Sequence, residues 1–329
     1  MAVYTRLGAE EMAAIIAAFD VGTLTSAKGI AEGVSNSNWL IETQDDKGAH
    51  RFILTIYESR TEVSELPFFL DLLDHLAAHD CPVPRTIHDR NGASHRFHQA
   101  ADGPKALALI EFLPGVSVSE PTPGQARAVG AALAKVHLAS ASFPASRENS
   151  MGLAAWRQLL GACGTEGLQS IHPELAGIVE RELALYARKW PQDLPRGVVH
   201  ADLFPDNVLM LGEEVTGLID FYFACTDMLA YDVAVTHAAW CFSNDGTRFD
   251  PAISAALLEG YESVRPLSAA ERAALPLLAR GAAMRFLATR AYDWMNTPGD
   301  ALVTPKDPLA FARRLEFYAD PANAAIFAG

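Results

Sequence analysis

The hydrophobic pattern of the chain changes near Pro114, and this change is the feature that most limits the possible folds. Before it, residues 38–43 and 51–57 alternate or run apolar on either side of a turn-forming stretch, which predicts a β-hairpin. Residues 66–78 then repeat apolar side chains at helical spacing, and residues 107–113 form an apolar run typical of a buried strand. The first part of the chain is therefore expected to be rich in strands.

Beyond this point the pattern becomes mainly helical. Residues 125–138 and 174–189 each place their apolar side chains on one face, and helices are expected again towards the end. Between them, residues 197–223 contain three short β-type runs that are separated by loops. These patterns predict an α+β protein of two lobes, a strand-rich lobe at 1–113 and a mainly helical lobe at 114–329.

Composition argues against several classes of partner. The formal net charge is −14, which does not suit a surface that follows a nucleic-acid backbone or lies on an anionic membrane. The apolar residues 12–19 lie between Glu11 and Asp20, which favours a short amphipathic helix over a signal peptide, and the four scattered cysteines favour buried reduced thiols. We therefore expect a cytoplasmic protein with no nucleic-acid or membrane partner, although the net charge still allows a small anionic ligand held by a few local donors. A monomer or homodimer is expected.

One loop between the short β-type runs carries chemistry. Residues 200–207 read His-Ala-Asp-Leu-Phe-Pro-Asp-Asn, and Asp220 follows at the end of a later run. This H-x-D-x-x-x-x-N pattern with a later Asp-Phe has the spacing of a kinase catalytic loop and its metal-binding aspartate. Phosphoryl transfer needs a carboxylate that accepts the proton of a hydroxyl, and oxygen ligands for Mg²⁺. Turn capping alone is the alternative, but it does not explain the position of Asp220.

Four further stretches extend the pattern over nearly the whole chain: residues 33–38 (GVSNSN), 54–58 (LTIYE), 66–70 (LPFFL) and 219–225 (IDFYFAC). With the loop and residues 284–290, they resemble the protein-kinase-like superfamily, in its small-molecule branch of aminoglycoside phosphotransferases and choline kinases. The closer resemblance is to the bacterial homoserine kinases of this fold. It implies a bilobal protein-kinase-like fold, with a small β-rich N-terminal lobe and a larger, mainly helical C-terminal lobe. It also implies an enzyme of threonine biosynthesis that uses ATP and Mg²⁺ to convert L-homoserine to O-phospho-L-homoserine.

The resemblance implies a role for each residue that matches a motif. Asp202 is the expected catalytic base, and Asn207 and Asp220 are the expected Mg²⁺ ligands. His200 and Asp232 are expected to support the loop, although Asp232 also fits an ordinary helix N-cap. The hinge at about 111–115 is expected to bind adenine through the main chain of three residues: Glu111, Phe112 and Leu113.

The expected phosphate-binding region departs from the wider superfamily at two places. Thr55 stands where a strand lysine is usual, so another cation, such as Lys28 or Arg60, is expected near the phosphates. The stretch that replaces the glycine-rich loop contains small residues, which let backbone N–H groups approach phosphates, although an ordinary turn is the alternative. The expected ligands in this stretch are Gly33, Ser35 and Asn36.

An acceptor that carries a carboxylate needs a cation near Asp202, and a guanidinium binds a carboxylate through two hydrogen bonds. Arg285 and Arg290 lie in a largely apolar helical stretch, at a spacing that directs only one of them into a cleft. An ion pair with Asp293 or Asp227 is the structural alternative. The expected acceptor-site residues are Arg285, Arg290, Tyr222 and Asp206.

Other ionisable side chains have ordinary explanations. His137 fits a hydrogen-bonded core histidine, and the His75 and His79 pair has metal-ligand spacing but no third ligand in view.

The residues alone leave the identity of the acceptor open. A kinase of an aminoglycoside, choline, ethanolamine or methylthioribose is one alternative, and a non-catalytic nucleotide-binding pseudokinase is another.

Overall fold

The computed structural model describes residue 5 and residues 7–30, 36–58, 62–100, 103–297 and 304–328. Its contacts divide the chain into two units. The first comprises Met1–Gly115 and Thr216–Tyr222, and the second comprises Val116–Val215 and Phe223–Gly329. Residues 216–222 therefore group with the first unit, although they follow the expected boundary by about a hundred positions. The functional roles expected for 1–113 and 114–329 stay predictions.

The first unit is built on an antiparallel sheet. Its strands lie in the order β1-β2-β3-β6-β4, and β5 also pairs with β6. The strands are β1 (Thr23–Ile30), β2 (Asn36–Asp45), β3 (Gly48–Tyr57), β4 (Thr86–Ile87), β5 (Arg96–Ala100) and β6 (Gly103–Glu111). The expected hairpin is β2–β3. The strand expected at 107–113 matches β6 over residues 107–111, but β6 begins earlier, at Gly103, and ends at Glu111.

Side chains of β6 alternate between the two faces of this sheet, as the period of a strand requires. Leu107 and Leu109 belong to the cluster that packs against helix α1 (Ala9–Ile16). Ala106 and Ala108 belong to the cluster on the other face, with the first residues of helix α2 (Leu66–Ala78). The first unit therefore has apolar packing on both faces of its sheet.

The second unit is mainly helical. Its helices are α3 (Pro123–Ala139), α4 (Leu153–Ile171), α5 (Leu175–Lys189), α6 (Leu229–Trp240), α7 (Pro251–Glu262), α8 (Ala269–Asn296) and α9 (Leu309–Ala319). A capping box between Thr122 and Gln125 begins α3. Gly130 in α3 faces backbone of α7, and Gly260 in α7 faces backbone of α3, where a Cβ atom would overlap the opposite chain. These two glycines allow the close approach of α3 and α7.

Short strands separate the helices of this unit. They are β7 (Val116–Ser117), β8 (Arg196–Val199), β9 (Val208–Leu211) and β11 (Cys225–Met228), and β10 (Glu214–Leu218) crosses the boundary between the units. β8 pairs with β11, and β9 lies between β7 and β10. The expected α+β fold is confirmed, with a sheet in the N-terminal region and helices in the C-terminal region.

Helix α6 is buried along its whole length. Its sequence, LAYDVAVTHAAW, is apolar on nearly every side, and such a helix is stable only inside a core. Several of its polar side chains have hydrogen bonds: the Thr236 hydroxyl donates to the carbonyl oxygen of Asp232, and His237 contacts Tyr318 and Ser254. The buried hydroxyl of Tyr231 has no hydrogen-bond partner among the described residues. Within the described parts of the chain, no helix is both long enough and apolar enough to cross a membrane.

Candidate active site

The loop that is expected to be catalytic, residues 200–207, joins β8 to β9 in the second unit. It ends in a short 3-10 helix, Pro205–Asn207, in which the fixed φ of proline suits the first position. Both flanking strands are paired, β8 with β11 and β9 with β7. The loop is therefore held at each end by a strand.

Asp232, in the first turn of α6, holds the beginning of this loop. Its Oδ2 accepts a hydrogen bond from the N–H of His200 at 2.7 Å, and its Oδ1 accepts one from Ala201 at 2.7 Å. Nε2 of His137 lies 3.0 Å from the same Oδ2. Burial raises the pKa of this carboxyl, but the contacts with His137 and His200 outweigh burial and leave the pKa below its usual value. Asp232 is thus a buried carboxylate that binds the loop's main chain.

Two further side chains bind carbonyl groups of the loop. Ala201 has a φ of 62°, in the left-handed region that residues other than glycine seldom adopt. The guanidinium of Arg285 in α8 donates a hydrogen bond to its carbonyl oxygen. Nε1 of Trp240 donates to the carbonyl oxygen of Leu203 at 3.0 Å. Sequence reasoning missed both contacts, because no local pattern joins residues so far apart: Trp240 is 37 positions from Leu203, and Arg285 is 84 positions from Ala201.

The side chain of Asp202 is 18% exposed. Burial raises its pKa above the usual aspartate value, and the charges of Arg285 and His200 oppose this shift. Nδ1 of His200 accepts a hydrogen bond from the N–H of Asp202 at 3.2 Å, so one role of this ring is to fix the turn. A carboxylate with a raised pKa that still reaches solvent has the properties of a general base.

Asn207 is oriented by Asp202. Its Nδ2 donates to the backbone oxygen of Asp202 at 2.8 Å and lies 3.4 Å from Oδ2 of that side chain. Because the amide nitrogen faces the loop, the amide oxygen on the other side of Cγ is directed away from it. A carbonyl oxygen in this orientation is suited to a hard cation.

Asp220 lies two residues beyond β10, in the part of the chain that groups with the first unit. Its φ is 65°, and its side chain is exposed. The described residues contain no cluster of three or more His, Cys, Asp or Glu side chains arranged for a metal. Mg²⁺ does not require one, since it is typically bound by one or two carboxylates together with water and phosphate oxygens. A carboxylate and an amide oxygen therefore fit Mg²⁺ by their chemistry.

Tyr222 packs in the first unit against aromatic rings. Its hydroxyl lies 3.1 Å from that of Tyr57, and its ring stands edge-on to Tyr57 and Phe69. Burial raises the pKa of Tyr57 to about 12, and the charge of Asp220 adds to the shift. Burial likewise raises the pKa of Tyr222, so both hydroxyls stay protonated near neutral pH.

The structure describes only some of the residues that were expected around the nucleotide. Gly33, Ser35 and Arg60 lie outside the described residues. Asn36 is buried at the start of β2, where its Oδ1 accepts a weak hydrogen bond from the N–H of Glu58 at 3.4 Å. Lys28 is exposed on the edge strand β1.

Thr55 occupies its expected strand position on β3 and is buried, with its hydroxyl donating to Oδ1 of Asn38 at 2.9 Å. A cation that the sequence analysis did not consider lies elsewhere on this sheet. Nζ of Lys105 in β6 is 3.0 Å from Oε2 of Glu58, and Ser37 donates to the same carboxylate at 2.7 Å. This ion pair joins the end of β3 to the start of β6.

The three residues expected at the hinge are Glu111, which ends β6, and the two residues that follow it. Glu111 donates its N–H to the carbonyl oxygen of Arg85 at 2.9 Å, and its Oε2 accepts from the N–H of that residue at 3.2 Å. The guanidinium of Arg51 lies 5.6 Å from the ring centre of Phe112. Leu113 lies in the irregular segment that follows. These contacts fix the chain where the sheet ends.

Arg290 lies one turn further along α8 than Arg285. Its guanidinium stacks on Phe311, 4.5 Å from the ring centre, and Nη1 donates to the carbonyl oxygen of Asp307 at 3.1 Å. Burial lowers its pKa, while the carboxylates of Asp307, Asp206 and Asp202 act in the opposite direction. Arg290 therefore lies in the electrostatic field of the catalytic loop.

The remaining predictions concern three histidines. His137 is buried, and its Nδ1 lies 2.8 Å from the hydroxyl of Tyr261, so the expected hydrogen-bonded core histidine is confirmed. The ring centres of His75 and His79 lie 4.4 Å apart with the rings tilted by 37°, and Nδ1 of His79 lies 2.8 Å from the carbonyl oxygen of His75. Among the described residues, no third His, Cys, Asp or Glu side chain joins them in a group that could hold a metal.

Comparison with known proteins agrees with this geometry. The phosphotransferase enzyme family matches residues 26–267. The chain belongs to this family. The resemblance to homoserine kinases is confirmed by relatives of that name: it is 50% identical to the homoserine kinase of Xanthobacter autotrophicus, over 97% of this chain and 96% of the relative. It is also 50% identical to the homoserine kinase of Gluconobacter oxydans, over 97% of this chain and 98% of the relative.

Solved structures of lower sequence identity share the fold. An amicoumacin kinase in complex with AMP-PNP and Ca²⁺ has a TM-score of 0.69 at 18% identity, and the alignment covers 95% of this chain and 94% of that one. A microcompartment-associated aminopropanol kinase has a TM-score of 0.67 at 20% identity, with coverage of 97% and 100%. The family match and the homoserine kinase relatives identify the protein as an enzyme that transfers a phosphoryl group to a hydroxyl group.

Proposed function

We propose that this phosphotransferase is a homoserine kinase, which transfers the γ-phosphoryl group of ATP to the side-chain hydroxyl of L-homoserine and releases O-phospho-L-homoserine and ADP. The observation that carries the proposal is the half-identity, over nearly the whole chain, to relatives of that name. A catalytic loop with an oriented carboxylate supports it. The role in threonine biosynthesis follows from the same activity. A cytoplasmic location, and a monomer or homodimer, are part of the proposal.

Asp202 is the proposed base. Its carboxylate accepts a hydrogen bond from the acceptor hydroxyl and takes the proton as the oxygen–phosphorus bond forms, while the bond from the γ-phosphorus to the bridging oxygen of ADP breaks. The raised pKa of Asp202 brings the carboxyl closer to neutral pH, which favours proton acceptance. His200 and Asn207 hold its main chain during this step.

Asn207 and Asp220 are the proposed Mg²⁺ ligands. When bound, Mg²⁺ neutralises charge on the phosphate oxygens of ATP. The residues Glu111, Phe112 and Leu113 are proposed to bind the adenine base through their main chain, with Gly33 and Ser35 near the phosphates. Tyr222 and Asp206 are proposed to border the acceptor.

Arg290 is the proposed ligand of the acceptor's carboxylate. Homoserine is short, so its carboxylate must lie within a few ångströms of the hydroxyl that approaches Asp202. Arg290 is half-buried and feels the charges of Asp202 and Asp206, which indicates that its guanidinium lies near the loop. Its stacking on Phe311 restricts the side chain, and a restricted guanidinium loses less entropy on binding.

An acceptor panel tests the proposal. The wild-type enzyme with Mg-ATP is assayed for ADP release with L-homoserine, D-homoserine, L-serine, L-threonine, choline, kanamycin and methylthioribose. We expect L-homoserine to give the highest kcat/KM, and phosphorus NMR of the product identifies the phosphate ester. Preferred turnover of another acceptor contradicts the homoserine assignment, whereas nucleotide binding without turnover of any acceptor indicates a pseudokinase.

A further inference from the structure

Arg285 is an unusual arginine, because it is almost completely buried. Only 2% of the residue is exposed, and its guanidinium lies close to two aromatic rings, 5.1 Å from the centre of Phe223 and 4.6 Å from that of Phe286. Within the described residues its Nε has no hydrogen-bond partner. A buried cation with an unpaired donor is costly, so its retention calls for a functional explanation.

We infer that Arg285 is a positioning residue for phosphoryl transfer, which acts by holding the carbonyl group of Ala201 and thereby the orientation of Asp202. This proposal differs from the expectation that Arg285 binds the acceptor, and the two are separated by the test. The inference rests on the proposed kinase activity but not on the identity of the acceptor, because the catalytic loop serves any hydroxyl group.

The first argument is the backbone of Ala201. An alanine at a φ of 62° is strained by about 1 kcal/mol or more, so the conformation persists only if its surroundings fix it. Asp232 binds the N–H of this residue, and Arg285 binds its carbonyl oxygen. Two buried charged side chains of opposite sign, one from α6 and one from α8, therefore hold a single strained residue. Asp202 follows directly, so its direction depends on that residue.

The second argument is distance. Nη2 of Arg285 lies 3.8 Å from Oδ1 of Asp202, too far for a hydrogen bond, while Nη1 binds the adjacent main chain. The guanidinium therefore acts on the carboxylate through charge and through the backbone. An acceptor carboxylate that bound Arg285 would have to displace the Ala201 carbonyl group or one of the two rings. Arg290 on the same helix is the more accessible cation.

The test compares Arg285→Met, Arg285→Lys and Arg280→Met. Methionine keeps apolar packing against the rings but cannot donate to Ala201, whereas lysine keeps one donor and the charge. Arg280 is a matched control, because it is another largely buried arginine of α8, paired with Glu182 at 3.0 Å and outside the catalytic machinery. Thermal midpoint, kcat and the KM values for ATP and for the acceptor preferred by the wild type are measured for each.

We expect Arg285→Met to lower kcat by about 100-fold, as a misplaced catalytic group does, with both KM values within about threefold of wild type. Arg285→Lys should recover at least tenfold of that loss, and methylguanidine should partly restore turnover to Arg285→Ala. Arg280→Met should lower the thermal midpoint with little change in kcat.

Two results overturn the inference. A selective rise in the acceptor KM at an unchanged kcat shows that Arg285 binds the acceptor. A kcat loss that follows the thermal midpoint equally in Arg285→Met and Arg280→Met shows a purely structural role. Failure of the homoserine assignment appears separately, as a different preferred acceptor of the wild-type enzyme. If Arg285→Met does not fold, the lysine variant decides, since the positioning role requires it to keep kcat within about tenfold of wild type.

Discussion

Replacing Asp232 by asparagine should destabilise the protein by about 3–5 kcal/mol, because the change removes a buried charge that three groups share. The carboxylate accepts hydrogen bonds from the N–H groups of His200 and Ala201 and contacts His137. Asparagine has one acceptor oxygen, so in either orientation its NH₂ group faces a backbone N–H. One charge-assisted hydrogen bond is therefore lost, and one buried backbone N–H faces another donor instead of an acceptor.

Urea unfolding followed by circular dichroism measures this loss, with Asp250→Asn as the matched control. Asp250 also accepts hydrogen bonds from two backbone N–H groups, those of Ala252 and Ile253, but it is an exposed N-cap. Asparagine caps helices about as well as aspartate, so this variant should unfold almost like wild type. Equal effects of the two substitutions would refute the argument that the buried charge supports the loop.

The same carboxylate predicts a pH dependence. The pKa of Asp232 is lower in the folded protein than the ordinary aspartate value of 3.8, so its ionised form stabilises the fold fully above about pH 4. That contribution is lost as the pH falls below this value through the folded-state pKa. Because Asp232→Asn cannot titrate, its difference in unfolding free energy from wild type should shrink as the pH falls below 4. A constant difference would contradict this.

Three further substitutions separate the proposed roles. Asp202→Asn should lower kcat by about 100-fold or more while calorimetry shows unchanged Mg-ATP binding, since only the base is lost; near-wild-type turnover would remove it from the mechanism. Asp220→Ala should raise the Mg²⁺ concentration needed for half-maximal rate, and an unchanged metal titration would rule out Asp220 as a ligand. Arg290→Ala should raise the KM for homoserine by about 10- to 100-fold and leave that for ATP nearly constant. Homoserine amide should be a poor substrate of wild type and lose little more in this variant.

The local hydrophobic pattern was sufficient to predict the helices and strands in which buried side chains recur at a regular spacing. The β2–β3 hairpin and α2 were predicted because their apolar side chains recur at strand and helix spacing. β1 was missed, because an exposed edge strand carries little alternation. α4 was also missed, since glycines weaken its helical pattern and Gly164 interrupts it with a φ of 67°.

The residues of the candidate site also fall into those that the sequence predicts and those that it does not. Asp202 and Asn207 lie within one short loop, so their spacing is visible in the sequence. The hydrogen bond from Arg285 to Ala201 joins residues 84 positions apart, and no local pattern encodes it. The helical spacing of Arg285 and Arg290 predicted different surroundings for the two, which the structure shows. It did not predict which of them lies against the loop, because that depends on how α8 packs.

The burial of α6 has an evolutionary consequence. Its twelve residues lie inside the core, and two of them, Asp232 and Trp240, bind the catalytic loop directly. On an amphipathic helix, random substitutions accumulate on the exposed face, but α6 has no such face. Each change on it alters a packed volume or a buried hydrogen bond, which costs about 1–5 kcal/mol of a total stability of about 5–15 kcal/mol. Sequence drift should therefore be slow along α6, even where acceptor preference diverges rapidly.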